Sequence, residues 1–498
     1  MRDLVVRRRL QQSGLMTHAA LADSFRQQGA RLDTLLLQKR LQLARLMAAD
    51  SASDKKMQLR LEIASLELQQ NQLWEKIGIA AEKNFSDYAI LPLSSFQQEL
   101  AKRQELALVY LVGDEGVLIL ALDGKTILAH ELQIKKQELQ ALVSQVNPAL
   151  HYALQDSQHL QLISPLLFRY QPRAARQLYQ MLLAGFIDKT PGKKFLLIPD
   201  GQLHFLPFEI LLTADITDTV VKDYRQLPFV LKNYTARYAS SLQAAFNQQP
   251  HQPETPATVV ALAQSMPRLD DTVNGFADLW QTRSEVLKIQ KILGRAAVEI
   301  VEGPFSAGTE WRNDLKQSAI LHFAAHSEAQ NAEPLSSRII LEEREAGSTS
   351  LYAFEIFAMH LPNGRLAFLS SCNTASGVLR GSEGLQGFVQ AFRAAGIPSV
   401  IGSLWPADAE ASSRLAAEFY RYLRGGETAA EALRRAKLAL LESDKPLPFF
   451  WASFQYFGVD QTFRFRQGLN MPPFAAVILA ALILGAIRRL RWPFSRSN

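Results

Sequence analysis

Residues 319–327 read AILHFAAHS and residues 365–373 read RLAFLSSCN. Each is a short apolar run that ends on a residue able to do chemistry, His326 in the first and Cys372 in the second. A run that is apolar on both faces suits a strand buried on both sides, as in a parallel sheet covered by helices. The pattern repeats outward. TVVALA (258–263), AVEIVEG (297–303), SRIILEE (337–343) and SVIGSLW (399–405) are further strand-like runs. Amphipathic helical patterns separate them at 281–293, 308–317 and 384–395, and two more helices run on to Ser443. Strand and helix in alternation predict a mostly parallel sheet with helices on both faces, an α/β fold whose functional residues gather where strands end.

Parallel neighbouring strands would set the ends of AILHFAAHS and RLAFLSSCN side by side. A free thiol is only a few per cent thiolate at neutral pH, so a cysteine nucleophile needs an imidazole beside it. A single cysteine reads equally as a small buried hydrophobe, and a single histidine as a satisfied core residue. His322 lies four positions before His326 on the same strand. It shares a face with His326 but sits about 13 Å back, which makes it a packed structural residue.

Upstream of this region the texture differs. Residues 1–84 hold almost no Gly or Pro after Leu4, and their apolar positions, among them Leu59, Ile63, Leu66 and Leu73, predict a helical hairpin or short coiled coil. Asp50–Asp54 is the expected turn between its arms, and a helical array is expected to continue upstream in a longer form. From residue 85 the runs LALVYLV (106–112), GVLILAL (116–122) and TILAHEL (126–132), separated by Asp-Glu-Gly and Asp-Gly, predict a β-meander. Helical pattern and the strand KKFLLIPDG follow to residue 240. Residues 241–460 form the expected core domain, entered through the loop-like NQQPHQPETP (247–256).

Composition narrows the function. The 498 residues are 48% hydrophobic, which excludes disorder as the main state. Lys and Arg total 54 against 48 Asp and Glu, so the net charge of +6 is too thin to indicate nucleic acid. Cys372 is the one cysteine, which permits no internal disulfide and no Cys-based zinc site. GSEGLQG (381–387) departs from both phosphate-loop patterns, and no His/Cys/carboxylate cluster has metal spacing, so no cofactor or metal is expected.

Both chain ends bear on membranes. MRDLVVRRRLQQSGLM has no apolar stretch or cleavage site of a secretory signal. At the other end FAAVILAALILGAI (474–487) lacks any polar side chain, and Met471, Pro472 and Pro473 lengthen the uncharged run. Arg488, Arg489, Arg491 and Trp492 follow as interfacial anchors, so residues 471–490 are expected to form a single-pass membrane helix. The trailing arginines favour a cytoplasmic C-terminus. The missing export signal outweighs them, and the expectation is a cytoplasmic body with a short translocated tail.

The ordered words LLIPDGQLHFLPFEILL (196–212), YASSLQ (238–243), ILHFAAHSE (320–328), LAFLSSCNTASG (366–377), EGLQGFVQAFRAAGIPSVIGSLW (383–405), FYRYLRGG (419–426), EALRRAKLALL (431–441) and PFFWASFQYFG (448–458) resemble the CHAT family of caspase-like cysteine peptidases, relatives of separase, over roughly residues 85–458. The resemblance implies a caspase-like α/β/α sandwich. It implies a dyad of Cys372 as nucleophile and His326 as general acid and base. The oxyanion would be held by the backbone N–H groups of Cys372 and of the residue after the histidine, Ser327, where relatives usually carry Gly. Relatives that cut after basic residues line the first specificity pocket with acids, which points to Asp200 in the PDG turn and to Asp408, with Ala409 where a second Asp is common. Asp200 is equally explained as a turn former. The implied function is a membrane-tethered cysteine endopeptidase. A catalytically idle CHAT scaffold is the alternative, and an esterase or amidase for small acyl substrates shares the chemistry. Expected partners are a protein substrate, a lipid bilayer through the C-terminal helix and a regulatory protein at the N-terminal helices, with no nucleic acid.

Overall fold

The computed structural model of the 498-residue chain describes residues 91–147, 171–187, 193–216, 221–246, 256–264, 276–303, 310–328, 337–344, 347–370, 383–405 and 407–466, with isolated residues and short helical stretches between 28 and 73 and a few single positions such as Phe168, Tyr170 and Leu335. Cys372, the 50–54 turn and the expected membrane helix 471–490 lie outside these. Among the described residues no helix is long and apolar enough to cross a membrane.

The meander forms as expected. β1 (Glu105–Val112), β2 (Gly116–Leu122) and β3 (Ile127–Gln133) pair antiparallel in sequence order, with Leu108 opposite Ala121 and Leu120 opposite Ala129. It is not a separate unit, however. β1 pairs in parallel with β4 (Lys194–Ile198), and β4 with β5 (Thr235–Tyr238). The core region contributes β6 (Val259–Ala263), β7 (Val298–Glu302), β8 (Ile320–Ala324), β12 (Leu366–Leu369), β13 (Ser399–Ser403) and β14 (Phe454–Gly458). β5 pairs with β14 through Tyr238 and Phe457, so one sheet of eleven strands runs β3-β2-β1-β4-β5-β14-β13-β12-β8-β6-β7. The boundary placed at residue 240 is therefore crossed by a continuous sheet. β14, inside the quoted word PFFWASFQYFG, was not read as a strand, and it supplies this join.

Strand direction reverses once within the large parallel stretch. β1, β4, β5 and β14 run one way, and β13, β12, β8, β6 and β7 run the other, because β13 and β14 pair antiparallel. The carboxyl ends of the two groups lie at opposite edges. Gly458 closes β14 at φ +107°, where an added Cβ would lie 2.0 Å from the Pro398 carbonyl oxygen, so only glycine fits this turn.

Helices cover both faces. The ones used below are α1 (Leu93–Arg103), α2 (Lys136–Val146), α3 (Pro172–Leu182), α4 (Phe276–Leu293), α5 (Glu310–Gln317), α6 (Ala353–Ala358), α7 (Glu383–Ala394), α8 (Ala409–Arg424) and α9 (Ala429–Leu441). The alternation of β8 shows the two layers. His322 meets Glu285 of α4 and Tyr420 of α8, whereas the next residue, Phe323, stacks on Phe392 of α7 from the other face. Asp408 caps α8 by accepting the Ala411 N–H at 2.9 Å, and Gly425 and Gly426 end it.

SRIILEE was expected in the parallel sheet and is not there. It forms β10 (Arg338–Arg344) of a separate antiparallel sheet ordered β11-β10-β9, with β11 (Gly347–Tyr352) and β9 (His326–Glu328). The physical reason is the bend at Ala325, which carries His326–Glu328 out of the large sheet as β9 and gives SRIILEE an antiparallel partner there.

In the N-terminal region only scattered helical residues are described. Lys39 and Glu62, both helical, form an ion pair at 2.6 Å, whereas one unbroken helix would hold them roughly 34 Å apart. Leu73 is buried against Tyr352 and Phe354, with Leu32 and Leu335 beside them, so the arms rest on the end of β11 and the start of α6.

Two buried ion pairs explain family words that look functional. Arg237 of β5 makes two bonds to Glu105 of β1 at 2.8 and 2.6 Å and a third to the Gly458 carbonyl. Glu209, in LPFEILL, accepts from Lys437 of α9 at 2.7 Å and from the Tyr238 hydroxyl at 2.5 Å. The Arg237–Gly458 bond and the Glu209–Lys437 pair fasten the β1–β5 part of the sheet to the β6–β14 part, while Arg237–Glu105 ties β5 to β1 within the first part.

Candidate functional site

β8 and β12 are parallel neighbours with Phe323 opposite Leu369, as the sequence pattern requires of strands whose ends share a site. All of β8 is buried, and β12 likewise. Beyond Leu369 the Ser370 N–H donates to the Phe323 carbonyl at 3.0 Å, which extends the pairing by one residue. Cys372 follows two residues later in sequence and lies outside the described residues.

The chain leaves β8 differently. It bends at the buried Ala325 and enters β9, where His326 stands opposite Ile340 and Ser327 opposite Ile339. His326 is half-buried at this edge. Its backbone N–H donates to Oε1 of Gln264, the residue just after β6, at 2.9 Å. Gln264 also donates its own N–H to the Ala324 carbonyl at 3.0 Å. Successive N–H groups along a strand point to opposite sides, so with that of His326 directed to Gln264, that of Ser327 faces β10. Ser327 is fully buried.

His322 does not join this edge. It is completely buried, with Nε2 at 2.8 Å from Glu285 and Nδ1 at 3.3 Å from the Tyr420 hydroxyl. Burial, reinforced by the Glu285 charge, holds the Tyr420 phenol well above its ordinary pKa, so it donates. A ring that accepts at Nδ1 and donates from Nε2 has no nitrogen left for substrate. The structural reading of His322 from its strand offset is thereby supported by its partners.

The two acidic positions separate. Asp408 follows β13, two strands from β8 and at the same edge as His326. Its Oδ1 accepts from Ala411 N–H and from Lys445 Nζ at 2.7 Å, and Lys445 also reaches Glu410 at 2.9 Å. Burial opposes the Lys445 charge, but its bonds to the two carboxylates outweigh this and raise its pKa. Arg414 also reaches Glu410 at 4.0 Å and Asp444 at 2.7 Å, so three carboxylates against two cations leave one net negative charge in this group. Asp200 follows β4, five strands from β8 and at the opposite edge, roughly 24 Å away on strand spacing alone. Its Oδ2 accepts the Val112 N–H of β1 at 2.9 Å. The structure does not bring Asp200 to His326, and its carboxylate ties β1 to the PDG turn.

Sequence reading missed Gln264 and Ser370. Both stand at strand ends in the same row as His326, the one signal that could have found them. Ser370 is buried, and its hydroxyl has no hydrogen-bond partner among the described residues. Among the described residues no group of His, Cys, Asp and Glu has the arrangement to hold a metal.

A mostly parallel, helix-covered sheet with a histidine and a cysteine-bearing segment leaving adjacent strand ends defines an α/β/α sandwich of the kind expected from the sequence. The sequence profile of the family described as "CHAT domain" matches residues 172–459, more than half of the chain, and the chain belongs to that family. Tetratricopeptide repeat protein 28 of Homo sapiens is 24% identical over 335 residues, which is 57% of this chain and 13% of the relative. The Mus musculus protein of the same name matches at 24% over 334 residues. The chain thus spans about an eighth of the length of these relatives. Among solved structures, the Saccharomyces cerevisiae separase–securin complex aligns with a TM-score of 0.44 at 11% identity, covering 87% of this chain and 36% of the other. The complex of Porphyromonas gingivalis RgpB pro- and mature domains aligns at 0.33 and 13%, covering 64% and 78%.

Proposed function

We propose that the chain is a cysteine endopeptidase that uses Cys372 and His326 for limited proteolysis of protein substrates. The observation that carries this reading is the parallel pairing of β8 with β12, which sends His326 and the segment holding Cys372 from adjacent strand ends. In the proposed reaction the Cys372 thiolate attacks the scissile carbonyl carbon, a C–S bond forms, and the carbonyl electron pair moves to oxygen. Collapse expels the amine, which takes its proton from the His326 imidazolium. His326 then removes a proton from water, whose oxygen attacks the thioester and releases the acid and the Cys372 thiolate, which restores the thiolate–imidazolium pair.

The Cys372 N–H is the proposed oxyanion donor. Ser327 joins it only if β9 parts from β10, because its N–H faces the ladder. Asp408, with the net negative charge it shares with Glu410, Asp444, Lys445 and Arg414, is the proposed recognition group for a basic side chain. We further infer that residues 471–490 anchor the protein in a bilayer, which the apolar run and the arginines after it support, with the body on the cytoplasmic side although those arginines by themselves favour the opposite orientation. A regulatory protein at the N-terminal helices is proposed from their contact with β11 and α6.

The test compares new protein N-termini in cells expressing the wild type and Cys372→Ala. Cleavages present with wild type and absent with the variant are expected. Identical sets would refute the peptidase and leave the scaffold reading. His326→Ala should match Cys372→Ala, since the loss of either member of a cooperating pair costs nearly as much as the loss of both.

A further inference from the structure

We infer that Gln264 is a positioning residue for His326, a role that rests on the peptidase reading but is measurable apart from it. β6 and β8 run side by side until Ala263 stands opposite Ala324, and there β8 turns out of the sheet at Ala325. A strand that leaves a sheet takes its next N–H away from the ladder, and at a buried position that donor needs another partner. The N–H of His326 is this donor, and Gln264 Oε1 accepts it at 2.9 Å. Because the Gln264 N–H holds the Ala324 carbonyl at 3.0 Å, one residue grips the chain on both sides of the Ala325 bend. Ala325 is 3% exposed and Gln264 4%, so the bend is packed and the bond to the half-buried His326 is largely shielded from water.

The other side of β8 is fixed by Ser370, whose N–H bonds the Phe323 carbonyl. β8 is therefore the common reference for both reacting segments, with Ser370 setting the start of the cysteine segment and Gln264 setting the backbone from which the imidazole projects. Its side chain holds a backbone amide, so its effect on the imidazole is one of direction. Asparagine is one methylene too short for this reach, and methionine has the length without the acceptor. Glutamate keeps both.

Gln264→Met, Gln264→Asn and Gln264→Glu, each in the full chain, test the role by two readouts. The first is hydrogen exchange of the backbone amides across residues 320–328. Exchange at His326 should rise at least tenfold in Gln264→Met and Gln264→Asn, with Ile320–Ala324 unchanged, and stay near wild type in Gln264→Glu. The second is peptide turnover: kcat should fall roughly ten- to a hundredfold in Met and Asn with KM within about threefold, as for a misplacement of about 1 Å, and Glu should recover most of the loss. Wild-type exchange at His326 in the Met and Asn variants overturns the clamp. Faster exchange with unchanged kcat, a loss carried by KM, or Glu as impaired as Met overturns the positioning role. If one variant does not fold, the other decides. A wild type that cleaves nothing would defeat the peptidase reading, while the exchange data would still judge the clamp.

Discussion

Lys437→Met removes the cation that neutralises Glu209 and should destabilise the protein by about 3.5 kcal/mol, in the range for breaking a buried pair from one side. The side chains of both residues are at most 5% exposed, so water cannot replace the lost partner. Burial, with the Glu209 charge beside it, keeps the Tyr238 phenol protonated, and its single hydroxyl bond remains as the only compensation for the stranded carboxylate. Glu209→Gln strands the ammonium instead but retains an acceptor, and should cost about 2.5 kcal/mol. The double variant carries neither charge and should cost about 3 kcal/mol rather than the sum, a coupling of about 3 kcal/mol. Urea midpoints for the four proteins, with the slope checked for constancy, measure this cycle. Singles that add to within about 0.5 kcal/mol, or a Lys437→Met cost below about 1 kcal/mol, would refute the reasoning. Since the pair lies in the β1–β5 part of the molecule and on α9, kcat of the folded variants should stay within twofold of wild type.

Asp200→Ala should cost about 1–3 kcal/mol through the Val112 N–H it leaves unpaired, and should lower cleavage after Arg and Leu alike; a selective loss after Arg, measured on paired peptides, would place it in the pocket after all. Asp408→Asn keeps an oxygen for the Ala411 N–H but removes charge, so cleavage after Arg or Lys should fall more than cleavage after Leu, and equal falls would reject Asp408 as the recognition group. Burial lowers His204 to about pKa 4 despite the opposing Asp200 charge, below its ordinary value near 6.5, so the unfolded chain binds the extra proton between those values. Stability present above pH 6.5 should therefore be lost as pH falls through 6.5 towards 4, by about 1–2 kcal/mol between pH 7 and 5 for this half-buried ring, and His204→Gln should flatten that slope in urea titrations. Deleting residues 470–498 should move an active protein from the membrane pellet to the soluble fraction, and a wild type already soluble would remove the anchor.

The sequence by itself determined most of the strands and helices, with β5 and β14 among the exceptions, because burial on two faces forces continuous apolar runs and burial on one forces a period. The meander runs 106–112, 116–122 and 126–132 match β1, β2 and β3 to within a residue at each end. ILHFA (320–324) and LAFL (366–369) became neighbouring parallel strands, and the spacing that set His322 back from His326 also placed it in the helix layer. Which edge each strand end occupies was decided only in three dimensions. PDG and SSCN look alike as turns after apolar runs, yet the antiparallel pairing of β13 with β14 puts Asp200 and His326 at opposite edges, and no local pattern encodes the direction of a strand relative to one two hundred residues away. The same holds for Glu209 with Lys437 and for Gln264 with His326. A hydrogen bond between residues distant in sequence depends on where the backbone has already been brought, and that is a property of the assembled sheet rather than of either segment.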